Sequence, residues 1–116
     1  MQRLFTHQSI FNKEWEKLDL SNWDLRFLEK YLLQNPKSGK VIYKTNGIRK
    51  LNWIVKANDK KVDIKVFYLD IEKFEITFLL FVISKHNDSS LNQSMRKEVK
   101  NLVLHLKRLL KEKTRF

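Results

Sequence analysis

The chain has 116 residues, 42% of them hydrophobic, and carries 24 lysines and arginines against 13 aspartates and glutamates, for a net charge of +11. It has no cysteine, and His7, His86 and His105 are scattered, so disulfides and thiolate metal centres are excluded and no spacing suits structural zinc. The length supports one hydrophobic core, and the charge favours an anionic partner such as nucleic acid, an acidic membrane surface or an acidic protein.

Residues 2–7 read as a short strand, with no apolar leader in them, which argues against secretion. Phe11, Trp15 and Leu18 then recur at helical spacing. Ser21, followed by Asp24 three residues later, predicts a capped helix start. Leu25, Leu28 and Leu32 form the stripe of that helix, with Phe27 and Tyr31 beside it, and Asn35-Pro36 ends it. Lys37 to Lys40 is a loop.

The period then changes to two. Strands are predicted over 41–45, 48–55, 61–72 and 74–85, with a turn at Asn46-Gly47 and a polar connection over 56–60. The last strand is apolar on both sides, with Ile76, Phe78, Leu80 and Val82 on one and Leu79, Phe81 and Ile83 on the other. It is therefore expected to lie inside the sheet. Its run over 76–83 is too short to span a bilayer and contains Thr77, so a soluble cytoplasmic protein is expected.

Residues 86–90 read as a loop, and Asn92 as the cap of a helix running to about 113. Met95, Val99, Leu102, Val103, Leu106, Leu109 and Leu110 form its apolar stripe. Arg96, Lys97, Lys100, Lys107, Arg108 and Lys111 form its other face. More than half of the net charge falls after residue 88. The order of elements is α+β, in one domain over 1–116.

The most informative stretches are Gly47-Ile48-Arg49-Lys50-Leu51-Asn52-Trp53 and Lys65-Val66-Phe67-Tyr68. Each interleaves apolar and basic residues, and a strand sends successive side chains to opposite faces. A sheet with a core on one face and cations on the other suits a polyanion, RNA or DNA.

These segments, the helix from Asp24 to Pro36, the opening Met-Gln-Arg-Leu-Phe strand and Ser84-Lys85 before a final amphipathic helix together resemble the RelE/ParE superfamily of toxins. The likeness is nearest to the HigB-type RelE branch of type II toxin–antitoxin systems. It implies a small twisted antiparallel sheet, two N-terminal helices and a C-terminal helix, with the helices on one face. It further implies a metal-independent endoribonuclease (an mRNA interferase) that enters the ribosome and cuts mRNA without a cofactor, partnered by a HigA-type helix-turn-helix antitoxin that binds operator DNA.

By position, the resemblance places catalytic groups on Lys50, Lys65, Lys85 and His86, and RNA contacts on Arg49, Asn52, Lys60 and Lys61. Metal-free cleavage needs the 2′-oxygen deprotonated, the phosphorane charge neutralised and the 5′-oxygen protonated. Lys65 and Lys85 suit charge stabilisation, Lys50 suits a base or positioning role, and an imidazole at His86 suits acid or base work. Lys65 stands where the family commonly has arginine, and Asn52 where it often has a basic residue. A ParE-like gyrase inhibitor and a catalytically silent antitoxin-binding module are the alternatives. Trp15 and Trp53 sit on apolar stripes and are expected in the core, whereas the place of Trp23 stays open.

Overall fold

A computed structural model describes residues 4–57, 59–85 and 93–113. Its elements are β1 (Leu4–His7), α1 (Ser9–Lys17), α2 (Asn22–Gln34), β2 (Lys40–Val41), β3 (Arg49–Ala57), β4 (Lys60–Ile71), a single 3-10 turn (Glu72–Phe74), β5 (Ile76–Ser84) and α3 (Gln93–Lys113). The α+β class is as expected. The five strands form one sheet in the order β1-β5-β4-β3-β2, so β5 lies inside it. The pairs β2–β3, β3–β4 and β4–β5 are antiparallel, but β1 adds in parallel beside β5, making the sheet mixed.

Local chemistry explains α2. The Ser21 hydroxyl accepts the Asp24 backbone N–H, and the Asp24 carboxylate accepts the Ser21 N–H in return, a reciprocal capping box. The helix then buries Leu25, Leu28 and Leu32. These pack with Phe11 and Trp15 of α1 on Leu51, Val55, Ile64, Val66, Leu79 and Val82 of the sheet. Full burial contributes about 1.5–3 kcal/mol for each side chain the size of Leu28 or Phe11.

The third helix departs from expectation. Val99 and Val103 of α3 pack on Ile48, Phe67, Leu69, Phe78, Leu80 and Phe81, which belong to the opposite face. The helices therefore cover both faces, because the apolar residues of β4 and β5 are too many for one. Leu102, Leu106 and Leu110 flank that contact, while Leu109 is exposed. The expected cap, Asn92, lies outside the described residues.

The alternation along β5 also breaks. Phe67 pairs with Phe81, but Tyr68 pairs with Leu79, so Leu80 is an extra residue. The bulge puts Leu80 and Phe81 together under α3 and returns Val82 to the side of Leu79. The short strand expected over 41–45 shrinks to Lys40–Val41. After it the chain turns through Lys44, Asn46 and Gly47, all at positive φ. The ammonium of Lys107 on α3 donates to the Asn46 carbonyl at 2.6 Å, tying that turn to the helix. Among the described residues no helix is long and apolar enough to cross a membrane.

The loop between α2 and β2 is pinned by one phenol. The buried Tyr68 hydroxyl donates to the Pro36 carbonyl and accepts the Gly39 N–H, both at 2.9 Å. The approach is so close that a Cβ at Gly39 would meet the Tyr68 ring and hydroxyl at 2.9 Å and the Lys50 carbonyl at 3.0 Å. Removing the hydroxyl leaves a buried N–H unpaired, so Tyr68→Phe should destabilise the protein by roughly 1–3 kcal/mol in urea unfolding. Gly39→Ala should cost at least as much, since ring and backbone would both have to shift.

Candidate nucleic-acid interface

The register of β3 on β4 sorts the predicted residues. Asn52 pairs with Lys65, Lys50 with Phe67, Ile54 with Asp63 and Lys56 with Lys61. Directly paired residues share a face, so Lys50, Asn52, Lys56, Lys61, Asp63 and Lys65 occupy one side of the sheet. Lys65 pairs on its other flank with Ile83 of β5. Just past that strand, the Lys85 backbone N–H donates to the Asp63 carbonyl at 2.9 Å. Lys85 thus arrives at the end of the same ladder. Cross-strand neighbours lie about 5 Å apart and diagonal ones about 7–8 Å, so Lys50 and Lys65 bracket a space suited to a phosphate.

This is the side that α3 covers, but only in part. The helix packs over Ile48, Phe67 and Leu69, and the rungs from Asn52–Lys65 to Lys56–Lys61 continue beyond Phe67, the partner of Lys50. Lys50 and Lys65 are half-buried, and Lys61 and Lys85 are exposed. Exposed Lys97 and Lys100 ride on α3 above the same side of the sheet. The basic helix and the basic strands therefore contribute to one electrostatic surface.

Two further lysines escaped the reading of the sequence. Lys40 of β2 pairs directly with Lys50, and Lys56 of β3 with Lys61. Like charges placed opposite one another destabilise a ladder. An anion lying on this face would offset that repulsion. The signal for Lys40 was hidden because it depends on a two-residue strand whose partner is set by the loop before it.

Arg49 stands apart. It precedes Lys50 and so belongs to the other face, where its Nη1 donates to the Gly39 carbonyl at 2.7 Å and the Lys37 carbonyl at 3.3 Å. Its guanidinium joins Tyr68 in holding the α2–β2 loop. Lys60 falls on that parity as well, at the far end of the β3–β4 hairpin. His86 lies outside the described residues. Trp15 is in the core with its indole N–H on the Ser21 carbonyl, and Trp53 packs against Tyr31 at 4.9 Å between ring centres. Trp23 is exposed.

These placements predict different failures. Lys50→Ala should leave the unfolding midpoint unchanged or slightly raised, since it removes the repulsion from Lys40. For a single-stranded RNA oligonucleotide, it should lower the slope of log affinity against log salt by roughly 0.7. Arg49→Ala should instead lower stability by about 1–3 kcal/mol, because two loop carbonyls lose their donor. Filter binding across a salt series, paired with urea unfolding, separates the two.

No family model matches the chain. Its structure is similar to that of a mutant of the Escherichia coli toxin RelE in the free state, with a TM-score of 0.57 and 15% identity over 89% of this chain and 99% of that one. The intact E. coli RelBE toxin–antitoxin complex is also similar, with a TM-score of 0.49 and 17% identity over 70% of this chain and 94% of that one. At 15% identity the likeness to RelE is one of architecture, and the mixed five-stranded sheet with its three helices is a RelE-like fold.

Proposed function

We propose that this protein is the toxin of a type II toxin–antitoxin system and cleaves mRNA on the translating ribosome. The observation that carries the reading is the lysine ladder on the open part of the sheet, Lys50, Asn52, Lys65 and Lys85, set in a RelE-like fold. RNA threads along this face with a scissile phosphate between Lys50 and Lys65. Lys50 positions or deprotonates the 2′-hydroxyl, which attacks the adjacent phosphorus. Lys65 and Lys85 neutralise the charge that builds on the phosphorane oxygens. The 5′-oxygen leaves with a proton, for which His86 is the proposed donor, and a 2′,3′-cyclic phosphate remains.

Lysine rather than arginine at position 65 supplies charge without a planar bidentate fork, so phosphate orientation depends on several cations acting together. Asn52, beside Lys65 on the ladder, adds a neutral hydrogen-bonding group suited to a base or a ribose, and Lys61 extends the track. As part of the same proposal, the protein works in the cytoplasm, and a HigA-type helix-turn-helix antitoxin neutralises it and carries the operator DNA contact.

Primer extension on one mRNA, with and without translating ribosomes, tests the reading. Cuts confined to the coding region and to the translating sample are expected, and cleavage of naked RNA would instead make the protein a free ribonuclease. Lys65→Ala and Lys85→Ala, folded by circular dichroism, should reduce cutting by at least 10²-fold each, the scale of a lost electrostatic stabiliser. Undiminished cutting by both variants would remove the assigned roles. Absence of any cleavage by the folded wild-type chain would favour gyrase inhibition or a pure binding role.

A further inference from the structure

Tyr43, on the turn that joins β2 to β3, is the most exposed of the large hydrophobic residues described, at 81%. The Lys44 ammonium lies 5.4 Å from the centre of its ring. The turn that carries the ring is held from several sides. The Ile42 N–H donates to the Ile48 carbonyl at 2.8 Å, and the hydroxyl of buried Thr45 donates to the Ile42 carbonyl at 2.7 Å. From α3, Lys107 reaches the Asn46 carbonyl at 2.6 Å. Ile42 itself packs against the cluster of Ile48 and Phe67 under that helix.

Backbone conformation agrees with a fixed turn. Lys44 and Asn46 both sit at a φ of 62°. A lysine is disfavoured in that region, and such strain persists only where the surroundings over-determine it. An aromatic ring on a turn held this way is preorganised, so little freedom is lost when a flat partner stacks on it.

The surroundings give the chemistry of that partner. Tyr43 is three residues past Lys40, at most about 11 Å of backbone. Lys40 pairs with Lys50, from which the ladder runs on to Asn52 and Lys65. Between residues 39 and 50 the chain has Lys40, Lys44, Arg49 and Lys50 and no carboxylate. Contacts from Ile42 and Lys107 hold the turn beside α3, on the same side of the sheet as the ladder. A strand of nucleic acid leaving the ladder at Lys40 therefore meets a further cation and then an open ring.

We propose that Tyr43 is a base-stacking subsite at the end of the lysine ladder. An unpaired base of single-stranded RNA lies on its ring, while Lys40 and Lys44 neutralise the phosphates on either side of that base. The subsite rests on the RNA reading of the ladder and adds to it a residue that holds a base rather than a phosphate. Every base has a flat face, so the contact is tolerant of sequence and does not need the phenol hydroxyl.

The test uses the full chain and three probes: a 2′-O-methyl oligomer of ten 5-iodouridines, an abasic ribose-phosphate chain of the same length, and a decaglutamate peptide. The iodouridine oligomer should bind at least ten times more tightly than the abasic chain. Irradiation should join it to Tyr43, located by mass spectrometry. Tyr43→Ala should weaken the iodouridine oligomer about tenfold and leave the abasic chain unchanged. Its salt slope should match the wild type, since no charge is lost, and Tyr43→Phe should keep wild-type affinity. Both variants alter an exposed side chain, and circular dichroism verifies their folding. RNA binding whose salt slope falls with Lys50→Ala but whose affinity ignores Tyr43→Ala would overturn the subsite and leave the ladder standing. Tyr43→Phe as weak as Tyr43→Ala, cross-links confined to Trp23 or Phe27 on α2, or an equal loss of decaglutamate binding would also overturn it. Failure of both oligomers to bind would overturn ladder and subsite together.

Discussion

The register of β3 against β4 is the constraint on which everything else rests. With Asn52 opposite Lys65 and Leu51 opposite Val66, one face of the hairpin is a hydrophobic floor for α1 and α2 and the other is a run of cations. Because side chains repeat every two residues, a slip of one position would drive either Lys50 or the pair Lys61 and Lys65 into that floor. Burying even one unpaired ammonium costs several kcal/mol, so apolar burial enforces the alignment of the lysines. The core and the candidate site are two readings of one pairing.

The distribution of apolar residues decides how much of the cationic face stays open. Ile48, Phe67, Leu69, Phe78 and Phe81 need a cover on the same side as the lysines, and Leu80 joins them only because of the bulge in β5. The third helix meets that need over Phe67, at the Lys50 rung, and leaves Asn52, Lys56 and Lys61 exposed. A helix laid over the whole face would bury the cations, and no helix at all would expose a large apolar surface. The partial cover lets a single sheet layer pack on both sides and still present charge.

Much of this was legible wherever the determinants are local. The Ser21–Asp24 capping box, the Leu25–Leu28–Leu32 stripe, the break at Pro36 and the Asn46-Gly47 turn depend on residues within one turn of each other. Strand alternation likewise separated Lys50 from Leu51 before any pairing was known. What stayed hidden is set by distant partners. The parallel docking of β1 has no sequence signature in four residues, and the bulge at Leu80 arises only when β5 meets β4. Composition could not assign α3 to the lysine side, because an amphipathic stripe fits either face. Arg49 illustrates the same limit: adjacent to Lys50 and equally cationic, it is committed to the carbonyls of Lys37 and Gly39, a fact that depends on the path of a loop.

The parallel pairing of β1 with β5 has a consequence in time. Leu4 lies beside Ile76 and His7 beside Leu79, so the first strand of the described sheet waits for the last one before it gains a neighbour. At typical synthesis rates of roughly 5–20 residues per second, that wait lasts several seconds. Over the same interval β3 can pair with β4, but β5 has yet to bring Ile83 beside Lys65 and carry Lys85 to Asp63. Long-range closure is also the slow part of folding in such topologies. A nascent chain of this architecture therefore assembles its complete lysine ladder only after β5 has emerged.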